Sequence, residues 1–498
     1  MELMDFKITQ KRQHPSAREI DGQSNWIVLL PPDAAATKAD FAYLEVLKDR
    51  RKRAGGKDKT DSGPVVTDLP NQAGSRVAFA CIKPDLAGFD LLTLARKLVA
   101  VHHKQQAAHI AVCVPGFKEE HRERLLEAVV AAAAAAAARM PSYKQDKDGH
   151  KDLRRLEVYG IKASHGFRRT LAEAEGNALA RHLSLLPSNK LNPGDYLKKV
   201  RALARDNSWR LDFYDIPALK KKKAGAFLAV AQGSPKPDAG MVRLRYTPAG
   251  GGSRKRKLTL VGKGICYDTG GVSLKPPRYM FGMHGDMQGS AVALGTFLAL
   301  TRLKVNFPME CWLAMATNHI GSRAYNPNDV VIAADGTAIE VVNTDAEGRM
   351  VLADTLVLAS GHKPGLIIDY ATLTGTCVMA LGTIYSGAFT NRQEYLTPVI
   401  EAGRDSGERV WPFPTDADYE KGLESDIADI KQCAMEGAAD HILAARFLQR
   451  FVKQDTPWIH IDLAASNHKG GLAHVATETT GFGVRFTLNL LLDKKILK

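Results

Sequence analysis

A chain of 498 residues with 45% apolar and 24% charged side chains has ordinary globular composition, and it exceeds what one hydrophobic core organises, so two domains are expected. No apolar run approaches the ~20 residues that a bilayer-spanning helix needs, and the start Met1-Glu2-Leu3-Met4-Asp5-Phe6-Lys7 lacks the charged-then-apolar layout of a secretory leader, so a cytoplasmic protein without a membrane partner is expected. The net charge of +14 biases association toward polyanions and admits DNA as a partner without establishing it.

The N-terminal part reads as a small α/β unit, with strands predicted at Trp26–Leu30, Val77–Cys81 and Ile110–Val114 between helical segments. The alanines 131–138 continue a helix begun at Leu125-Leu126-Glu127-Ala128, because alanine has the highest helix propensity. Met140-Pro141-Ser142 and a charged stretch over 144–151 then break the chain before one more strand at Leu156–Tyr159. A helix near Thr170–Leu186 leads into Pro187–Pro193, and the domain junction is placed within 165–185, giving an N-terminal domain over 1–168 and a C-terminal domain over 169–498.

Beyond the junction strands and helices alternate. Strands are predicted at Ala226–Val230, Met241–Tyr246, Leu258–Val261, Glu310–Thr317, Ile339–Val342, Leu366–Tyr370 and Trp458–Leu463, and helices at Gly289–Leu303, Met350–Ser360 and Ala438–Val452. This order implies an α/β fold: a mixed, mainly parallel sheet flanked by helices, joined to the smaller N-terminal α/β domain. No internal repeat of fixed period is present. Basic residues gather at Lys48–Lys59, Lys220–Lys223 and Arg254–Lys257 without interleaved aromatics, which reads as solvated loops and helix ends rather than a platform for stacked bases. The six cysteines are scattered with no CxxC pair, so neither a disulfide framework nor a thiolate zinc site is indicated, and Cys266 is read as packing.

The chemistry concentrates in two clusters. In Asn343-Thr344-Asp345-Ala346-Glu347-Gly348-Arg349, an extended or turning backbone sends Asp345, Glu347 and Arg349 to one side. Crowded carboxylates need a cation between them, and a divalent metal meets that need; a solvated turn with a local Glu–Arg pair is the alternative. Upstream, Gly262 to Pro276 follows the strand Leu258–Val261 and carries Lys263, Asp268 and Lys275, with Asp286 ahead of the helix that begins near Ala291. Groups at the carboxyl end of a buried strand sit where α/β proteins bind ligands. Asp268, Asp286, Asp345 and Glu347, with Lys263, Lys275 and Arg349, therefore suit a two-metal hydrolytic centre.

These residues are familiar. NTDAEGR at 343–349, continuing as Met350-Val351-Leu352-Ala353-Asp354, strongly resembles the signature of the leucyl aminopeptidase family, the cytosolic two-metal aminopeptidases. GAFLAVAQGS at 225–234, VGKGICYDTGG at 261–271, GSRAYNPNDV at 321–330, DYATLTGTCVMALG at 369–382 and TTGFGVR at 479–485 look like further family blocks in register. The N-terminal unit is divergent; it is assigned an oligomerisation or regulatory role.

The resemblance implies that Asp268 and Glu347 bridge two divalent ions, with Asp345 completing one site and Lys263 and Asp286 the other. A lysine ligand must lose its proton, which an adjacent dication and burial favour; a salt bridge to a carboxylate is the competing reading of Lys263. Zinc or manganese is implied, and the oxygen-rich donor set leaves the identity open. The resemblance also gives Lys275 the tetrahedral oxyanion and gives Arg349, which stays protonated and cannot act as a base, a small anion held by a bidentate contact, namely bicarbonate as a possible general base. Backbone groups of Thr372 and Leu373 are implied to bind the substrate main chain, and Met283 and Ala464 to line the pocket for the first side chain. A free α-amine can coordinate a metal and hydrogen-bond to Asp286, so the expected reaction is release of N-terminal residues from peptides, by a homohexamer.

Two departures from the family pattern stand out. Ser466 and Asn467 put polar groups where the pocket floor is often apolar, which leaves a leucine-like or a broader first-residue preference open, and His284-Gly285 precedes Asp286 where a bulkier or basic pair is common. Some bacterial members of the family also bind DNA as architectural or regulatory proteins, which is the alternative or additional role. A two-metal phosphohydrolase is disfavoured, since no phosphate-cradling loop ending in GK[ST] is present.

Overall fold

The structure, a computed structural model, describes residues 3–32, 40–54, 63–145, 152–251 and 257–497. Parts of the basic runs (55–59 and 254–256) lie outside the described residues. The chain divides into two compact units: residues 2–178 with 469–478, and residues 179–468 with 479–498.

In the first unit, strands β1 (Lys7–Lys11), β2 (Asn25–Leu30), β3 (Val65–Asp68), β4 (Arg76–Cys81), β5 (His109–Cys113) and β6 (Arg155–Tyr159) form one sheet in the order β1-β6-β5-β2-β4-β3. All neighbours are parallel except β3 and β4. Side chains alternate between its faces, so Ile27 and Leu29 enter one core while Trp26, Val28 and Leu30 enter the other. The first core also takes helices α1 (Gly88–His103) and α2 (Glu119–Ala137). The alanine run belongs to α2 as far as Ala137, and Ala131 to Ala135 and Ala137 are buried.

The second unit holds β7 (Arg210–Tyr214), β8 (Gly240–Tyr246), β9 (Leu258–Asp268), β10 (Met309–Asn318), β11 (Val330–Ile332), β12 (Ala338–Glu340), β13 (Leu366–Ala371), β14 (Ser386–Thr390), β15 (Val410–Pro412), β16 (Ile430–Lys431) and β17 (Trp458–Asp462). Eight of them form a mixed sheet in the order β15-β14-β17-β13-β9-β10-β8-β7, whose centre, β17-β13-β9-β10, is parallel. β11, β12 and β16 make a separate small sheet. The helices that matter for function are α3 (Gly225–Ala231), α4 (Gln288–Arg302), α5 (Glu347–Ser360), α6 (Gly375–Leu381) and α7 (Asp440–Arg450). Among the described residues no helix is long and apolar enough to cross a membrane.

Three expectations shift. Ala226–Val230, expected as a strand, is the helix α3; a short apolar run does not distinguish the two by periodicity, and its alanines favour the helix. The strand expected at Leu258–Val261 runs on to Asp268, so Lys263 and Asp268 lie on β9 itself rather than on a following loop. Ile339–Val342 contributes only Ala338–Glu340, and to the small sheet.

Candidate active site

The carboxyl ends of the parallel strands β9, β13 and β17 meet the segment that enters α5, and the site lies there. A cavity of ≈ 490 Å³ opens at these ends and is lined by Lys263, Asp268, Lys275, Met283, Asp286, Asp345, Thr372, Leu373, Ala464 and Asn467 among others. Glu347 is not among the lining residues; it is buried at the first position of α5, where the helix N-terminus favours a negative charge.

One oxygen from each of Asp268, Asp286 and Glu347 lies within 4.8 Å of the others. The Lys263 ammonium sits among them, 2.8 Å from Asp286 Oδ1, 2.7 Å from Asp286 Oδ2 and 2.9 Å from Glu347 Oε1, and it donates to the Thr372 carbonyl at 2.9 Å. Lys275 stands on the cavity side, 2.9 Å from Asp268 Oδ2 and 2.5 Å from Asp345 Oδ1. Thr372 Oγ1 donates to Asp286 Oδ1 at 2.7 Å. Gly270, with φ 85°, lets the chain turn back so that its N–H donates to Asp268 Oδ1 at 2.8 Å.

Four carboxylates thus share two ammonium groups, and the excess negative charge is buried. Burial pushes the Asp286 carboxyl up to about 6, even though the Lys263 ammonium pulls the other way. Burial, then the charge of Asp268, holds Glu347 well above the usual carboxylate range and raises Asp345 as well. For Lys263, burial alone would lower the pKa; the fields of Asp286, Glu347 and Asp268 override it and favour the ammonium.

The donor set fits hard divalent cations. Asp286 Oδ2 and Asp345 Oδ1 are buried, and the groups that face them are the Lys263 and Lys275 ammonium groups, at 2.7 and 2.5 Å. Asp268, Asp286, Asp345 and Glu347 offer the oxygens, and Lys263 can add a nitrogen once it gives up its proton.

The site residues fall in a region that also matches known proteins. The model of the cytosol aminopeptidase family, catalytic domain, matches residues 178–488. The chain belongs to the cytosol aminopeptidase family. A probable cytosol aminopeptidase of Rhodopseudomonas palustris (strain BisA53) is 37% identical over 434 residues, covering 85% of this chain and 84% of that protein. Its namesake from Polaromonas sp. (strain JS666) is 35% identical over 457 residues, covering 91% and 88%. A third, from Wolbachia pipientis wMel, is 40% identical over 336 residues, covering 67% and 66%.

The later part of the 343–349 segment departs from the sequence reading. Asp345 lies before α5, whereas Glu347 and Arg349 lie on it, and residues two apart on a helix do not face each other. Arg349 therefore turns away from the carboxylates and does not line the cavity. Its Nη2 donates to both oxygens of Asp440, at 2.9 and 2.8 Å, and its Nη1 to the Gln432 carbonyl at 3.2 Å. The Asp440 carboxylate, a group of the chain itself, fills that grip.

Three residues of the site escaped the sequence reading. Asn318, ending β10, donates to Asp268 Oδ1 at 2.8 Å and to the Thr344 carbonyl at 3.0 Å, holding the two clusters together. Asp462, ending β17, accepts from Leu373 N (3.1 Å), Thr374 N (3.4 Å) and Thr374 Oγ1 (2.6 Å). Asp440 is the partner of Arg349. Asn318 and Asp462 stand at strand ends, a position from which their part in the site was recoverable; nothing local marks Asp440.

Proposed function

We propose that the chain is a metal-dependent aminopeptidase that releases the N-terminal residue of peptides, using two divalent ions per subunit, zinc or manganese. The observation that carries this reading is the convergence of Asp268, Asp286 and Glu347 oxygens within 4.8 Å at the end of β9, beside Lys263 and within the family's catalytic region. When bound, paired divalent ions lower the pKa of a water and polarise a peptide carbonyl. Asp268, Asp286, Asp345, Glu347 and Lys263 would hold them.

The chain's own groups do the rest. Lys275, on the cavity wall, donates to the carbonyl oxygen as it becomes the tetrahedral oxyanion. Asp286 accepts a hydrogen bond from the free α-amine of the substrate, a group that internal residues of a peptide lack, so cleavage is confined to the first bond. The Leu373 N–H is committed to Asp462, so the Leu373 carbonyl is the group left to accept from the substrate main chain. Met283 and Ala464 border the first side chain. Ser466 and Asn467 also line the cavity, and these polar groups support a preference broader than leucine. We place the enzyme in the cytoplasm as a homohexamer, with residues 1–168 as a regulatory or oligomerisation domain. The +14 charge leaves room for an added DNA-binding role, which a steep loss of mobility shift with rising salt would reveal.

The test is hydrolysis of a panel of aminoacyl chromogenic amides by metal-stripped and metal-restored protein. Restored protein should cleave a subset, and no cleavage of any member would refute the reading. Glu347→Ala and Lys263→Ala should each abolish turnover with loss of metal, read by elemental analysis. Two full equivalents retained in Lys263→Ala would remove that lysine from the ligand set.

A further inference from the structure

Arg349 is buried, and the segment that meets it is built to hold a charge against it. Gln432 accepts from Val342 N at 3.2 Å and Asn343 N at 3.1 Å through Oε1, and donates from Nε2 to the Ala346 carbonyl at 3.0 Å, so the chain after β16 is stitched along the strand of residues leading to Asp345 and Glu347. Eight residues later, after Gly437 (φ 65°) and Ala439 (φ 53°) turn the backbone through left-handed conformations, Asp440 opens α7 and presents its carboxylate to Arg349. His441 N donates to Thr376 Oγ1 at 2.9 Å, fixing the start of α7 against α6.

We infer that Asp440 is a built-in counter-anion: it occupies the guanidinium face of Arg349 that a soluble oxyanion would need, so this enzyme works without a bicarbonate bound there, and Asp440 is a positioning residue for Arg349. The inference rests on the aminopeptidase reading for its turnover arm only. A carboxylate tethered by a packed helix competes at a far higher effective concentration than a dissolved anion. A soluble anion would also have to leave Asp440 charged, mostly buried and without its partner. The N–H groups left over, on Nε and on Nη1, lie on different edges of the guanidinium and cannot together supply the two-point grip that selects a planar oxyanion.

The experiment uses the full metal-loaded chain and two readouts, calorimetric titration with bicarbonate or formate and turnover in carbon dioxide-free buffer with and without those anions. The native protein should show no saturable anion binding and no change in turnover. Asp440→Ala should bind formate or bicarbonate and gain at least about tenfold in turnover when either is added, and Arg349→Ala on that background should abolish both. Asp440→Ser, which keeps a residue suited to a helix start, repeats the test if the alanine variant does not fold. Saturable stimulation of the native enzyme by bicarbonate overturns the inference, and so does a folded Asp440 variant that gains no anion binding. Calorimetry reads anion binding whether or not peptides are cleaved, so a failure of the aminopeptidase reading, seen as no turnover in any protein, is distinct from a failure here.

Discussion

Gly348 follows Glu347 on α5, and a methyl group on its Cα would lie 2.7 Å from Lys263 Cε and 2.8 Å from Lys263 Nζ. The lysine has nowhere to retreat, because its ammonium is held by Asp286, Glu347 and the Thr372 carbonyl at once. Gly348→Ala should therefore displace the amine, lower bound metal, and reduce kcat/KM by more than about tenfold, a loss on the order of 1.4 kcal/mol or more in transition-state stabilisation. Elemental analysis beside kinetics checks it, and full metal content with native turnover would show that the lysine tolerates the crowding. The same heptapeptide shows what the sequence made legible. Residue types and spacing brought Asp345 and Glu347 to the site; the i, i+2, i+4 argument then carried Arg349 with them, because it assumed an extended backbone through a position where the helix had already begun.

At the level of elements, α5 is anchored by Asp354, whose Oδ2 accepts from Phe227 N at 2.8 Å and whose Oδ1 accepts from Ala334 N at 2.7 Å, tying α3 and the chain after β11 to one buried carboxylate. Burial pushes its pKa up to about 7 despite those two backbone donors. A folded pKa raised above the unfolded value of 3.8 means the proton favours the native state, so the contribution is full below that value and is lost as pH rises toward about 7. The loss approaches ~1.4 kcal/mol per pH unit inside the window. Asp354→Asn cannot ionise, and the melting temperature of the native protein relative to this variant should fall steadily from pH 5 to pH 7; parallel profiles would refute the assignment. Asp462 plays the matching part at β17, holding the loop after β13 through three donors. Asp462→Ala leaves those donors short of an acceptor, at a cost of about 1–3 kcal/mol, and should raise KM with metal content unchanged. The α/β alternation was legible because buried parallel strands are continuous apolar runs, whereas α3 was misread because seven residues carry too little periodicity to separate helix from strand.

Over the whole molecule, the +14 charge hides a local inversion: the site gathers Asp268, Asp286, Asp345 and Glu347 around Lys263 and Lys275 inside a strongly basic protein. Without metal that cluster is held together by protons and ammonium groups, since burial and mutual repulsion raise Asp286, Asp345 and Glu347, and the carboxylates in turn raise Lys263. Divalent cations must displace those protons, so metal loading is an exchange, and its equilibrium shifts with pH. Lys263 is protonated throughout the neutral range in the metal-free state, so its conversion to a ligand releases one proton at any ordinary assay pH, and Glu347 adds to the count. Titrating zinc or manganese into stripped protein in buffers of different ionisation enthalpy counts these protons directly. More than one proton released per chain at pH 7, with apparent metal affinity falling as the solution is acidified toward the Asp286 value of about 6, is the expected result. Metal binding with no proton release would mean that Lys263 keeps its ammonium form beside the ions and serves as a salt-bridge partner rather than a ligand.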